Sequence, residues 1–287
     1  MAGKTLCTIV LISIISCIPD KKRNAISEID NGTGSEILVH TDKNTIKERF
    51  SAPQGYEWID EKQESFGYFL ENFTLKPYKS KILRYDGNPI STQHLHEAIF
   101  DIDTGDQDLQ QCADAVIRLR AEYLVKNKRQ DEIQFHFTNG DLLSWKDYKN
   151  GTRAFVNGNS VNFKKTAPFD DSPQNFRSYL NLIFNYAGTI SLDKETKPVL
   201  KSEDLKSGDI LITPGSPGHV VLISGACRNK EGKKLFLLSE GFTPAQSIHV
   251  LSNPFDKNRS PWYNLDVKAN ETKTARYIFK PTNFRSF

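Results

Sequence analysis

Leu205-Lys206-Ser207-Gly208-Asp209-Ile210-Leu211 and, after a short loop, Gly218-His219-Val220-Val221-Leu222-Ile223 are the two segments on which the architecture turns. Each passes from Gly and a polar residue into an apolar run, the pattern of neighbouring strands. With Lys234–Glu240 they read as three successive strands, Asp209 to Thr213, His219 to Ala226 and Lys234 to Glu240. The loop Asn229-Lys230-Glu231-Gly232 reads as a hairpin between the second and third.

Upstream, the clearest helical periodicity runs from about Leu109 to Lys126, with Leu109, Ala113, Val116, Ile117, Leu124 and Val125 on one stripe. Asp108 followed by Gln111 resembles a capping box, with Asp106 the alternative cap. Ser80–Tyr85 and His96–Asp103 read as strands, the first meeting a turn at Asp86-Gly87-Asn88-Pro89. Ile133–Thr138 reads as a strand ending in an Asn139-Gly140 turn. Asn175–Ala187 predicts a second amphipathic helix closed by Gly188, and Thr274–Phe279 a last strand. Helices and strands mix without a βαβ repeat, so the expected class is α+β.

The N-terminus has its own signature. Lys4 precedes an apolar run from Leu6 to Ile15, too short for the roughly 20 residues of a bilayer span but suited to a signal peptide. It ends in Ile14-Ile15-Ser16-Cys17, which resembles a bacterial lipobox with Cys17 as the lipidated residue. Residues 1–17 are therefore expected to be a lipoprotein signal, with the protein held at a membrane of the cell envelope by its lipid. Residues 18–49 are polar and expected to be a disordered tether. Residues 50–287 are long enough for one core. The formal charge is only +3, with basic residues scattered among acidic ones, and no platform for nucleic acid is visible. No zinc-type spacing of Cys or His occurs, and no metal or other cofactor is expected.

Two places carry chemistry. Cys112 falls in the first turn of the long helix, where unpaired N–H groups favour a thiolate by about 0.3–1 kcal/mol. Asp106, Asp108 and Asp114 oppose that effect, so the thiol needs an imidazole to be activated. His219, opening its strand, is the candidate. An odd-sum hairpin pairing, Arg228 with Lys233 or Cys227 with Gly232, puts Glu240 on the face of His219; a slip of one residue puts Ser239 there instead. Gln107 and Gln111 are candidate donors to an oxyanion, with the Cys112 N–H.

The Gly-Asp and Gly-His-Val pair resembles the NlpC/P60 branch of papain-like cysteine hydrolases, whose nucleophilic cysteine also lies upstream at a helix start. The resemblance implies a helix carrying the cysteine packed on an antiparallel sheet carrying the histidine. It implies Cys112 as nucleophile and His219 as base, acting on an amide bond, with a peptide or peptidoglycan as ligand; Glu240, from the hairpin register, is the expected orienting group. The expected Asp-Cys-Ser-Gly around the nucleophile is here Gln-Cys-Ala-Asp. A longer stretch, from about Phe66 onward, is similar to a family of bacterial lipoproteins known only as domain of unknown function 4846. Leu109-Gln110-Gln111-Cys112-Ala113-Asp114, Phe135-His136-Phe137-Thr138-Asn139-Gly140 and Ile248-His249-Val250-Leu251 carry that likeness.

Other readings stay open at this level. Cys112 is an inert buried thiol or a disulfide partner of Cys227 under them. Cys227 lies eight positions beyond His219, about 26 Å along a strand, so Cys112 cannot serve both. A lipoprotein binding a peptide or glycan without turnover is the alternative function. His136 and His249 read as packing or surface residues, and His94 with His96 as a pair lacking a third metal ligand.

Overall fold

The three apolar runs do become adjacent strands, and the rest of the chain wraps them. The computed structural model describes residues 36–287; Cys17, the expected signal peptide and residues 18–35 of the expected tether lie outside them. The N-terminal part contributes α1 (Ile46–Arg49), β1 (Tyr56–Trp58), α2 (Phe66–Glu71), β2 (His96–Ile99) and α3 (Cys112–Lys126). Next come β3 (Gln134–His136), β4 (Leu142–Ser144), α4 (Trp145–Lys149), β5 (Thr152–Asn157), β6 (Ser160–Lys165), α5 (Pro173–Tyr186) and α6 (Thr189–Glu195). The C-terminal part holds β7 (Lys197–Pro198), β8 (Ile210–Thr213), β9 (His219–Asn229), β10 (Lys234–Glu240) and β11 (His249–Leu251). It ends with β12 (Thr272–Lys273), β13 (Ile278–Phe279) and β14 (Phe284–Ser286). The class is α+β.

The central sheet runs β2-β11-β10-β9-β8-β14-β7, with β1 paired to the far end of β9, and its pairings are antiparallel. From β8 to β11 it is a meander, as short connections between sequential strands favour. β9 is buried on both faces: Val220 and Leu222 join a core with α3, while Val221 and Ile223 join a second one with Tyr263, Leu265 and Phe279. Each such aliphatic side chain contributes about 1.5–3 kcal/mol on burial. That double cover explains an apolar run without alternation.

α3 packs directly on β9. It is more central than its stripe predicts: every residue from Ala113 to Leu119 is buried, Asp114 and Arg118 included. It also starts later, at Cys112 rather than Leu109, because the expected Asp108 cap is engaged elsewhere. The Asp108 carboxylate accepts from Gln111 Nε2 at 3.1 Å and from the Ala245 N–H at 2.7 Å. The cap is Gln111, whose own N–H donates to Asp114 Oδ2 at 3.1 Å.

Other expectations need correcting. Ser80–Tyr85 forms no strand; it makes isolated bridges, Leu83 to Pro89 and Arg84 to Gln246. β2 stops at Ile99, and of the expected strand Thr274–Phe279 only β13 (Ile278–Phe279) forms, paired with β12 just upstream of it. Gly188 does not close α5; it is the N-cap of α6, a helix the pattern did not reveal. The packed unit begins before the expected boundary at residue 50, since Leu38 and Ile46 are buried in the main core. Among the described residues no helix is long and apolar enough to cross a membrane.

Candidate functional site

Three separate elements each deliver one side chain to a single site. Cys112 is the first residue of α3, His219 the first of β9 and Glu240 the last of β10. As the first helical residue, Cys112 has a backbone N–H with no acceptor inside the helix. Two glycines allow the close approach of these elements. A Cβ on Gly218 would stand 2.6 Å from Gly215 O and 2.8 Å from Thr213 O, so only glycine fits the turn that aims His219. A Cβ on Gly241 would meet the backbone of Gln111, where β10 ends against α3.

Glu240 reaches the His219 face by two compensating steps. The hairpin pairs Arg228 with Lys234 and Cys227 with Leu235, one residue away from the first expected register and three from the second, an odd shift from both. By parity alone that slip would bring Ser239 to His219. A bulge at Ser224 then adds a residue to β9, so Leu237 pairs with Gly225 but Leu238 with Ile223. Continued past Ser239 and Leu222, the register sets Glu240 beside Val221, two residues from His219 and on its face. Ser239 instead turns the other way and shares a hydrogen bond with Ser224 at 2.7 Å between hydroxyl oxygens.

His219 Nε2 donates to Glu240 Oε2 at 2.8 Å, with both side chains essentially removed from solvent. This leaves Nδ1 as the ring nitrogen for the Cys112 thiol. Burial disfavours the charged imidazole, but contact with the Cys112 thiol and with the Glu240 carboxylate outweighs it, and the pKa is pushed up to about 9. Burial likewise opposes the Glu240 charge; the hydrogen bond from His219 and the neighbouring His249 ring overcome that and hold the carboxyl well below its usual range. Tyr277 and Phe242 flank the imidazole at 4.7 and 5.0 Å between ring centres, with Phe279 behind at 5.8 Å. These rings exclude water from one side of the pair, which strengthens its electrostatics.

The carboxylates near the thiol oppose it less than the sequence suggests. Burial pushes Asp114 up to about 8, leaving it largely neutral at pH 7, while it still accepts the Gln111 N–H. Cys112 itself is half-buried and opens on a cleft of about 710 Å³. Its walls are the first turn of α3, the α5–α6 junction, the Gly215–Gly218 loop, Phe242 and Tyr277. Gln111 lies on the wall, with its carboxamide oxygen accepting from Thr243 Oγ1 at 3.0 Å. Gln107 is exposed and is not among the lining residues. Cys112 and Cys227 are both free thiols, so no disulfide joins them.

A larger cavity, of about 930 Å³, borders α3 and α5 but contains neither Cys112 nor His219. Its most buried cation, Arg118, is bonded to Asp103 at 2.9 Å and to Glu122 at 2.7 Å, the latter pairing expected from helix spacing. Among the described residues no group of three or more His, Cys, Asp or Glu is arranged to hold a metal ion. Trp145 and Trp262 are buried, and Trp58 packs edge-on against Trp262 at 5.1 Å, so the tryptophans are core residues.

Sequence reasoning missed His249, Arg276, Phe242 and Tyr277. His249 is fully buried and pairs across the strands with Glu240. Its period-two place in Ile248-His249-Val250-Leu251 was a usable signal, because a histidine in a buried strand needs a polar partner. The other three sit in irregular segments, where no period exists to read.

A family model described as domain of unknown function (4846) matches residues 46–286. No curated protein and no solved structure matches the chain.

Proposed function

We propose that this chain, which belongs to the family of domain of unknown function 4846, is a lipid-anchored envelope protein with a papain-like thiol hydrolase site acting on an amide bond. The observation that carries the reading is the convergence of a helix-start thiol, an imidazole and a buried carboxylate in one order, Cys112, His219, Glu240. A generic buried cysteine has no reason to face a histidine whose other nitrogen is already fixed by a carboxylate.

The chemistry follows from that order. His219 Nδ1 takes the Cys112 proton, and Sγ attacks the acyl carbon as the carbonyl π pair moves onto oxygen. The Cys112 N–H donates to that oxyanion. Collapse breaks the C–N bond, and the imidazolium gives its proton to the departing amine, leaving a thioester. His219 then removes a proton from water, hydroxide adds to the thioester, and the thiolate leaves and is reprotonated. Glu240 keeps the proton on Nε2 throughout. A cell-wall peptide is the proposed substrate, on two supports: the lipobox-like Ile14-Ile15-Ser16-Cys17, which implies an envelope location, and the NlpC/P60 resemblance.

Alkylation of Cys112 by iodoacetamide, followed from about pH 4 to 9 in wild type and His219→Ala, tests the site. Labelling already rapid near pH 6 and lost with His219 is expected. A profile like that of a free thiol, near a pKa of about 8.5 and indifferent to His219, would overturn it and leave a binding lipoprotein.

A further inference from the structure

Glu240 has no exposed side-chain surface, and a buried carboxylate needs partners for both oxygens. Oε2 is spoken for by His219. Oε1 faces two nitrogens from other elements, His249 Nε2 at 3.6 Å from β11 and Arg276 Nε at 3.7 Å from the β12–β13 turn. These are ion-pair distances, beyond the range of a strict hydrogen bond.

Each of the two is itself anchored. The His249 Nδ1–H donates to Ser247 O at 2.9 Å, which points Nε2 at Glu240, and the antiparallel register sets the two residues directly opposite. Behind His249, His96 of β2 stands edge-on at 6.1 Å between ring centres, its Nε2 bonded to Ser80 O. The Arg276 guanidinium carbon lies over Phe242 at 3.9 Å from the ring centre, and Phe242 in turn stands against His219. Tyr263, also close to Glu240, gives its hydroxyl proton to Ser252 O.

Charge counting gives Arg276 a purpose. A thiolate and an imidazolium sum to zero, which leaves the Glu240 carboxylate as an uncompensated buried anion. Removing one partner of such a buried charge is far costlier than removing a surface one.

We propose that His249 and Arg276 are positioning residues that hold Glu240 Oε1 and turn its other oxygen onto His219 Nε2, with Arg276 balancing its charge. The inference rests on the thiol-hydrolase reading of the Cys112 site. The two ideas separate in one experiment. Iodoacetamide profiles are recorded on the full chain for wild type, His249→Leu, His249→Gln, Arg276→Met and Arg276→Lys, beside titration of the His219 ring by NMR. His249→Leu and Arg276→Met are expected to slow Cys112 labelling near pH 6 by about 10-fold. His249→Gln, which restores a donor to Oε1, and Arg276→Lys, which restores the charge, are expected to recover most of the rate. Folded variants that label like wild type would overturn the proposal, as would conservative variants no better than the truncations. If wild-type labelling is ordinary and indifferent to His219, the hydrolase reading falls. The grip on Glu240 is then judged by whether the His219 titration moves by about half a pH unit in Arg276→Met, a smaller change sinking it. Should His249→Leu fail to fold, the Arg276 pair decides alone.

Discussion

A Cβ built on Gly241 would stand 2.7 Å from the carbonyl oxygen of Gln111. The end of β10 and the start of α3 therefore touch backbone to backbone, with Glu240 and Cys112 the next residues along each. Gly241→Ala must push the two apart, because the obstacle is main chain and not a flexible side-chain tip. A loss of about 1–3 kcal/mol is expected from such overpacking. Urea unfolding measures that loss, and Cys112 labelling near pH 6 should fall with it. An alanine variant as stable and as reactive as wild type would mean that the contact is looser than it stands here.

Asp114 makes the fold pH-sensitive. Burial holds its folded pKa near about 8, whereas the unfolded carboxyl titrates near about 4. Across that window the folded state binds the extra proton, so stability falls as pH rises. Asp114→Asn keeps an oxygen to accept the Gln111 N–H but cannot ionise. Its urea midpoint should vary less between about pH 5 and 8, and exceed wild type at the upper end. Parallel curves for the two proteins would contradict the assignment.

Glu240 and His219 act through a second pair of windows. The raised histidine contributes stability that is full below about pH 6.5 and lost as pH rises through about 9. The depressed carboxyl contributes stability that is full above about pH 4.3 and lost as pH falls. Glu240→Gln preserves the shape and an acceptor for Nε2–H but removes the charge. It is expected to cost about 1–3 kcal/mol near pH 6 and less near pH 10. A cost independent of pH would show that the pair is held by packing alone.

The sheet and the long helix were legible because their periods were clean: β8, β9, β10 and α3 fall within a few residues of their predicted ends. The site was legible at Cys112 and His219, where local motifs mark them. Glu240 was reached through registers that turned out wrong by one or three residues, and the Ser224 bulge restored its face. The available signal was Gly225, because a glycine inside a strand often marks a bulge, whereas Ile223-Ser224-Gly225 otherwise reads as ordinary strand. Asp108 misled for a related reason: its carboxylate is taken up by Ala245, 137 positions away, a partner no local rule can supply. Arg276 and Phe242 were invisible because their place depends on how irregular chain drapes over β10.

Cys227 provides the internal control for any thiol measurement. It sits fully buried where β9 pairs with β10, and burial pushes its pKa up to about 12. With no imidazole beside it and no access to solvent, its thiol is neither ionised nor reachable, and both are needed for alkylation. Mass-spectrometric mapping of the native protein should therefore find iodoacetamide on Cys112 and not on Cys227. After unfolding in urea, Cys227 should label at the rate of a free thiol, while Cys112 should lose its reactivity near pH 6, because the helix start and His219 no longer meet it. The two cysteines thus move in opposite directions on unfolding, which separates a built site from mere exposure. Native labelling of both, or slower labelling of Cys112 than of unfolded Cys227 at pH 6, would show that accessibility alone governs the reaction.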